Sequence, residues 1–141
     1  MDEALLEVSE YTGKGFQPLV YFGTWRVAVL NYLDELRPEN QKSVERHTET
    51  DEVFILMKGT GTLFFGKGDK GPEALYPQAM DVGKIYNVKK DIWHTVVLSP
   101  DASVLLVENG DTAEANSEYA DLTSQQCRLI IDQCQAKPRQ A

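Results

Sequence analysis

The chain has 141 residues and a mass of 15.8 kDa, which suits one domain around a single hydrophobic core. Hydrophobic residues make up 42% of it and charged residues 26%, as in an ordinary globular protein, so extended disorder and fibrous structure are excluded. Because 14 basic residues face 22 acidic ones, the formal net charge is −8, and we expect neither a nucleic-acid partner nor a membrane partner.

Short runs of β-branched and aromatic residues, broken by glycine, proline and aspartate, dominate residues 17–110, after an N-terminal segment of residues 1–16. They predict strands at Pro18–Phe22, Trp25–Leu33, Val53–Met57, Thr60–Phe65, Ile85–Val88, Trp93–Leu98 and Ser103–Val107. So many short strands in a small chain predict an all-β domain with a closed or sandwiched antiparallel sheet. Residues 66–72 include four glycines or prolines, and we expect them to form a protruding, mobile loop.

The segment of residues 111–141 has a different character. Thr123 and Gln126 fit a capping box, and apolar or thiol side chains recur at helical spacing behind them, which predicts a helix over about 124–135. Pro138 should prevent the helix from extending further. Cys127 and Cys134 lie about 10 Å apart on such a helix, so we expect reduced thiols rather than a disulfide.

Nothing in the sequence predicts a transmembrane helix or a signal peptide. The longest apolar run, Val53–Met57, is far too short to cross a bilayer. Acidic residues follow the first methionine, where a signal peptide carries basic ones. We therefore expect a cytoplasmic protein.

Two histidines are the only ones in the chain, and each lies in an unusual context. His47 stands five residues before Glu52, and Gly59 follows Glu52 after six residues. Gly83 stands eleven residues before His94. On an extended chain Glu45 and His47 share a face, whereas Glu52 needs a turn or bulge within residues 48–51 to point the same way.

Both patterns resemble the motifs of the cupin superfamily, H-x-H-x(3,4)-E-x(6)-G and G-x(5)-P-x-G-x(2)-H-x(3)-N. His47, Glu52 and Gly59 match the first motif, with Glu45 in the place of its first histidine. Gly83 and His94 match the second motif, in which Lys89, Asp91 and Leu98 replace the proline, the glycine and the asparagine. The resemblance implies an antiparallel jelly-roll barrel, here followed by a C-terminal helix.

The same resemblance implies a divalent metal ion in the mouth of the barrel. Its ligands would be His47, Glu52 and His94, with Glu45 as a fourth. Imidazole and carboxylate donors without thiolate suit iron, manganese, zinc, nickel or copper. A simpler alternative is a solvated acidic turn beside two ordinary, partly buried histidines.

The resemblance implies two alternative functions. The first is a small cupin that binds a small molecule in the barrel mouth, at or without the metal ion. The second is a metal-dependent oxygenase, isomerase, epimerase or lyase that acts on a small organic acid or sugar derivative, with Glu45 and Tyr86 as candidates for proton transfer. Cupins often pair through barrel strands, so the resemblance also predicts a homodimer.

Overall fold

Two antiparallel β-sheets packed face to face form the body of the protein, as seen in a computed structural model that describes residues 2 and 4–135. Within the described residues the strands are β1 (Phe16–Phe22), β2 (Trp25–Asn31), β3 (Ser43–His47), β4 (Glu52–Lys58), β5 (Gly61–Gly66), β6 (Tyr76–Ala79), β7 (Ile85–Val88), β8 (Trp93–Leu98), β9 (Ser103–Asn109) and β10 (Ser117–Asp121), and helix α1 (Ser124–Gln135) follows them. Sheet A has the order β1-β2-β9-β4-β7, and sheet B has the order β10-β3-β8-β5-β6. The predicted all-β jelly roll with a C-terminal helix is confirmed.

The core between the sheets follows from the alternation of side chains along each strand. In β4, Glu52, Phe54 and Leu56 are buried while the residues between them are half-buried, because successive side chains point to opposite faces. The buried residues of this inter-sheet core are Ala28, Phe54, Leu56, Leu63, Met80, Val96, Leu98, Ala102, Val104 and Leu106. This apolar layer fixes the distance between the sheets and so positions the polar residues at its end.

A second apolar cluster lies where sheet B meets α1. Its buried members are Val44, Phe64, Leu75, Trp93, Val97 and Ile130. The predicted capping box is present: the Thr123 amide donates to Gln126 Oε1 at 3.0 Å and the Gln126 amide to Thr123 Oγ1 at 3.1 Å. The helix spans the predicted residues, and both cysteines are free thiols. Pro138, which we expected to stop the helix, lies outside the described residues. Among the described residues, no helix is both long and apolar enough to cross a membrane.

Three strands were not predicted from the sequence: β3, β6 and β10. Strand β10 pairs with β3, with Ser117 opposite His47, so sheet B extends to Asp121 rather than ending near residue 110 as expected. β3 and β10 are rich in polar residues and β6 contains a proline, so none of them shows the strong β propensity used for prediction.

The glycine-rich loop of residues 67–72, which its composition predicts to be mobile, is hydrogen-bonded to side chains of sheet B. The Arg46 guanidinium donates to the carbonyl oxygens of Gly68 and Asp69 at 2.8 and 3.0 Å, and the Trp93 indole donates to Gly68 at 2.8 Å. The same guanidinium stacks on the Trp93 ring, 4.3 Å from its centroid. Side chains from two strands therefore hold backbone that has no sheet partner of its own.

Gly59→Ala is expected to destabilise the fold by about 3 kcal/mol, and Gly83→Ala by about 1 kcal/mol. Both glycines have a positive φ, +78° and +86°, which strains any other residue. At Gly59 a Cβ would also lie 2.5 Å from the Ala102 Cα, whereas at Gly83 no heavy atom of the described chain lies within 4 Å. Urea denaturation measures both changes. Equal losses would show that backbone strain, and not the close approach to Ala102, dominates at Gly59.

Candidate functional site

A cavity of about 580 Å³ opens between the two sheets, beside the inter-sheet core. Its volume lies within the range of pockets that bind small molecules. Apolar side chains such as Phe54, Val96 and Leu106 form part of its wall. The remaining wall is polar and includes all four residues that the sequence nominated as metal ligands: Glu45, His47, Glu52 and His94.

The ligand atoms of these four residues converge. His47 Nε2 and His94 Nε2 lie 3.2 and 3.0 Å from the same atom, Glu52 Oε1. Glu45 Oε1 lies 3.8 Å from His47 Nε2 and 3.9 Å from His94 Nε2. One ligand atom from each residue falls within 4.8 Å of the other three.

Both sheets contribute to this cluster. His47 ends β3 in sheet B and Glu52 begins β4 in sheet A, so residues 48–51 carry the chain from one sheet to the other. This crossing supplies the turn that the odd spacing between His47 and Glu52 requires. Glu45 on β3 lies directly opposite His94 on β8, which brings the remaining two residues to the same place.

The outer nitrogen of each imidazole ring has its own partner. His94 Nδ1 lies 3.0 Å from the Ile92 carbonyl oxygen, and His47 Nδ1 lies 2.8 Å from Ser117 Oγ. Because a carbonyl oxygen only accepts, the hydrogen of a neutral His94 ring sits on Nδ1, and Nε2 presents a lone pair to the cavity. Ring orientation is thus set from outside the cluster, as it is for metal-binding histidines.

The charges of the cluster shift its pKa values in opposite directions. Burial lowers the pKa of His47 and of His94, but hydrogen bonding to Glu52 and its negative charge outweigh burial and raise both values above the usual range. Burial raises the pKa of Glu52, yet its contacts with the two histidines bring the value well below the usual range. The site therefore favours an ionised Glu52 with positive charge next to it.

Arg26 and Glu108 are two buried residues of this region that sequence reasoning missed. Arg26 Nη2 donates to Glu108 Oε1 at 2.7 Å, and Glu108 lines the cavity, with Oε2 3.9 Å from His47 Nε2. Burial and the neighbouring Glu52 raise the pKa of Glu108 to about 8. One feature of the sequence could have indicated the two residues. Each is a charged residue two positions from a buried apolar residue of the same strand, Arg26 from Ala28 and Glu108 from Leu106, so its side chain points to the same inner face.

The two candidates for proton transfer lie in different places. The Glu45 carboxylate belongs to the cluster and is its most exposed member, with 40% of the side chain accessible. Tyr86 lies outside this cavity, where its hydroxyl accepts a hydrogen bond from the Asp81 amide at 2.7 Å and its ring packs on the inter-sheet core. The structure thus brings Glu45, but not Tyr86, to the histidines.

The chain matches no protein-family model and no curated protein, whereas solved structures share its fold. CapF, a capsular polysaccharide assembling protein from Staphylococcus aureus, is 12% identical with a TM-score of 0.58 over 80% of this chain and 34% of CapF. The QdtA 3,4-ketoisomerase from Thermoanaerobacterium thermosaccharolyticum is 13% identical with a TM-score of 0.54 over 79% of this chain and 73% of QdtA. A cupin-2 domain protein from Shewanella frigidimarina is 19% identical with a TM-score of 0.48 over 70% of this chain and 84% of its own. This chain spans about a third of CapF, and at such identities the likeness concerns the fold alone.

Proposed function

Because the chain has the cupin fold, we propose that it binds a divalent transition-metal ion in the barrel mouth and holds a small molecule beside it. The ion's ligands are His47, His94 and Glu52, with Glu45 as the fourth. The observation that carries this proposal is the convergence of two imidazole Nε2 atoms on one buried carboxylate oxygen, at 3.2 and 3.0 Å.

The spacing of these atoms fits a coordination shell. Donor atoms about 2.1 Å from a common ion lie about 3.0–3.4 Å apart across right or tetrahedral angles. The two contacts of Glu52 Oε1 are of this length, and the contacts of Glu45 Oε1 are a few tenths of an ångström longer. Without a proton or a cation, the Nε2 lone pairs would face a carboxylate oxygen, which is repulsive. A bound cation removes this repulsion, so the donor set fits a metal ion.

The cavity beside the cluster is the proposed place of the small molecule. Its volume of about 580 Å³ exceeds what the cluster needs, and its walls combine apolar side chains with the polar groups of Gln41 and Thr95. When bound, the ion supplies Lewis acidity that polarises an oxygen of the small molecule. The Phe54 and Leu106 side chains would pack against its carbon skeleton.

A metal-dependent enzyme is the second candidate, and the position of Glu45 favours it. This carboxylate lies at the solvent side of the cluster, so it can exchange protons with water and with a molecule in the cavity. An oxygenase, isomerase, epimerase or lyase acting on a small organic acid or sugar derivative remains the proposed class. The cytoplasmic location and the homodimer remain predictions.

Elemental analysis of protein purified without a metal-affinity step tests the proposed metal site. We expect about one equivalent of a transition metal in the wild-type protein and none in His47→Ala or His94→Ala, because each variant removes a converging nitrogen. Tyr86→Phe is the control and should keep its metal, since Tyr86 lies outside the cavity. A wild-type protein that takes up no metal after incubation with divalent ions would contradict the proposal, as would full metal content in both histidine variants.

A further inference from the structure

Three charged side chains form a row across the inner face of sheet A. Arg26 on β2 lies directly opposite Glu108 on β9. Val107 on β9 lies opposite Val53 on β4, so the same register places Glu108 next to Glu52. Each of the three is at most 9% exposed. Carboxylates that lie opposite each other on adjacent strands repel each other when both are ionised, so a cation beside Glu108 and Glu52 would stabilise the doubly ionised pair.

The two oxygens of Glu108 have different surroundings. Oε1 accepts from Arg26 Nη2 at 2.7 Å, and the same guanidinium is anchored on the carbonyl oxygens of Gly110 and Thr112. Oε2 is buried, and within the part of the chain that the structure describes it has no hydrogen-bond partner. It lies 3.9 Å from His47 Nε2, at the edge of the four residues whose ligand atoms all lie within 4.8 Å of one another, a set to which Glu45 belongs and Glu108 does not. Arg26 therefore fixes Glu108 so that its free oxygen faces the cluster.

We propose that Glu108 is a further ligand of the metal ion, with Oε2 as its donor atom and Arg26 as the residue that positions it. This inference rests on the proposed metal site. The complete donor set then comprises two imidazole nitrogens and oxygens from Glu45, Glu52 and Glu108. Such an oxygen-rich set favours hard ions, so the site prefers Mn²⁺ or Fe²⁺ more than a site with an additional histidine in place of a carboxylate would.

A structural ion pair between Arg26 and Glu108 explains less of the arrangement. It accounts for Oε1, which is fully satisfied by the guanidinium. It leaves Oε2 as a buried oxygen that no hydrogen-bond partner among the described residues contacts. A metal ion at the cluster gives this oxygen a partner and at the same time separates the charges of Glu52 and Glu108.

Titration with Mn²⁺ and with Zn²⁺ tests the role of Glu108. Free Mn²⁺ is followed by electron paramagnetic resonance, and Zn²⁺ by competition with a chromophoric chelator. Glu108→Gln keeps an oxygen for Arg26 but removes the charged donor, and we expect its Mn²⁺ affinity to fall at least about tenfold. Zn²⁺ affinity should fall less, because Zn²⁺ depends more on the imidazoles. Both ions are measured on one preparation, so the ratio of the two affinities does not depend on the folded fraction.

Two further variants separate ligation from a simple effect of charge. Glu108→Asp keeps the charge but shortens the side chain by one methylene group, so it should weaken Mn²⁺ binding as Glu108→Gln does. Glu39→Gln removes an exposed carboxylate outside the cavity and should leave the affinity unchanged. Wild-type affinity in Glu108→Asp, or an unchanged Mn²⁺ to Zn²⁺ ratio in Glu108→Gln, would overturn the ligand role while the proposed metal site stands. A wild-type protein that binds neither ion would overturn both.

Discussion

Replacing Glu108 with leucine should destabilise the metal-free protein by about 3–5 kcal/mol, because Arg26 then remains as a buried cation without the Glu108 oxygen that accepts its hydrogen bond. The Arg26 side chain is 11% exposed and the Glu108 side chain 3%, so bulk water has little access to the guanidinium. Because an arginine does not lose its proton in a protein, Arg26 cannot reduce the cost of burial by becoming neutral. Urea denaturation in the presence of a chelator measures the loss without a contribution from bound metal.

A second variant and a control show whether the loss arises from the unpaired charge. The double variant Arg26→Met/Glu108→Leu replaces the ion pair with apolar side chains and should recover most of the stability. Glu39→Leu breaks the exposed pair of Glu39 with Arg37, whose side chains are 57% and 51% exposed, and should cost less than about 1 kcal/mol. A double variant as unstable as Glu108→Leu would refute the explanation.

Trp93→Ala should destabilise the fold by about 3–5 kcal/mol. Trp93 is 2% exposed and belongs to the apolar cluster that sheet B forms with α1. The substitution leaves a large cavity there and also removes the indole donor to Gly68 and the ring on which Arg46 stacks. Urea denaturation followed by far-ultraviolet circular dichroism measures the change.

Trp93→Phe separates these contributions, because it keeps an aromatic ring but loses the indole hydrogen bond. Its expected cost is about 1–2 kcal/mol. Trp25→Ala is the matched control, since Trp25 is 42% exposed and should lose much less than Trp93. Equal losses for the two tryptophan-to-alanine variants would contradict the proposed importance of the cluster under α1.

Local patterns were sufficient to predict most of the strands and the C-terminal helix. Strands such as β8 and β9 are rich in β-branched and apolar residues, and Thr123 with Gln126 marks the start of α1. β3 and β10 could not be found in this way, because their polar side chains follow no strong alternation. They are strands because they pair with each other, and pairing between residues about 70 positions apart is a tertiary property.

In the candidate site, too, local patterns predicted some residues, and others depend on long-range strand pairing. His47, Glu52 and His94 were nominated from the resemblance to the cupin motifs, and they lie together. Asp91, which replaces the motif glycine, has φ +68°, so the backbone shape of the motif persists without its usual residue. Arg26 and Glu108 were missed because 82 residues separate them along the chain, and only the register of β2 with β9 brings them together.

The hydrogen bonds from Arg46 and Trp93 to residues 67–72 limit where the chain can be opened or extended by engineering. Because glycine-rich segments are typical of exposed loops, this segment would be an obvious choice for inserting an epitope tag or for opening the chain in a circular permutant. An insertion there would pull Gly68 and Asp69 away from their donors, and it would disturb Pro72, whose carbonyl accepts from Gln126 at the start of α1. The turn at Gly23, where no heavy atom of the described residues lies within 4 Å of an added Cβ, is the better place to open or extend the chain.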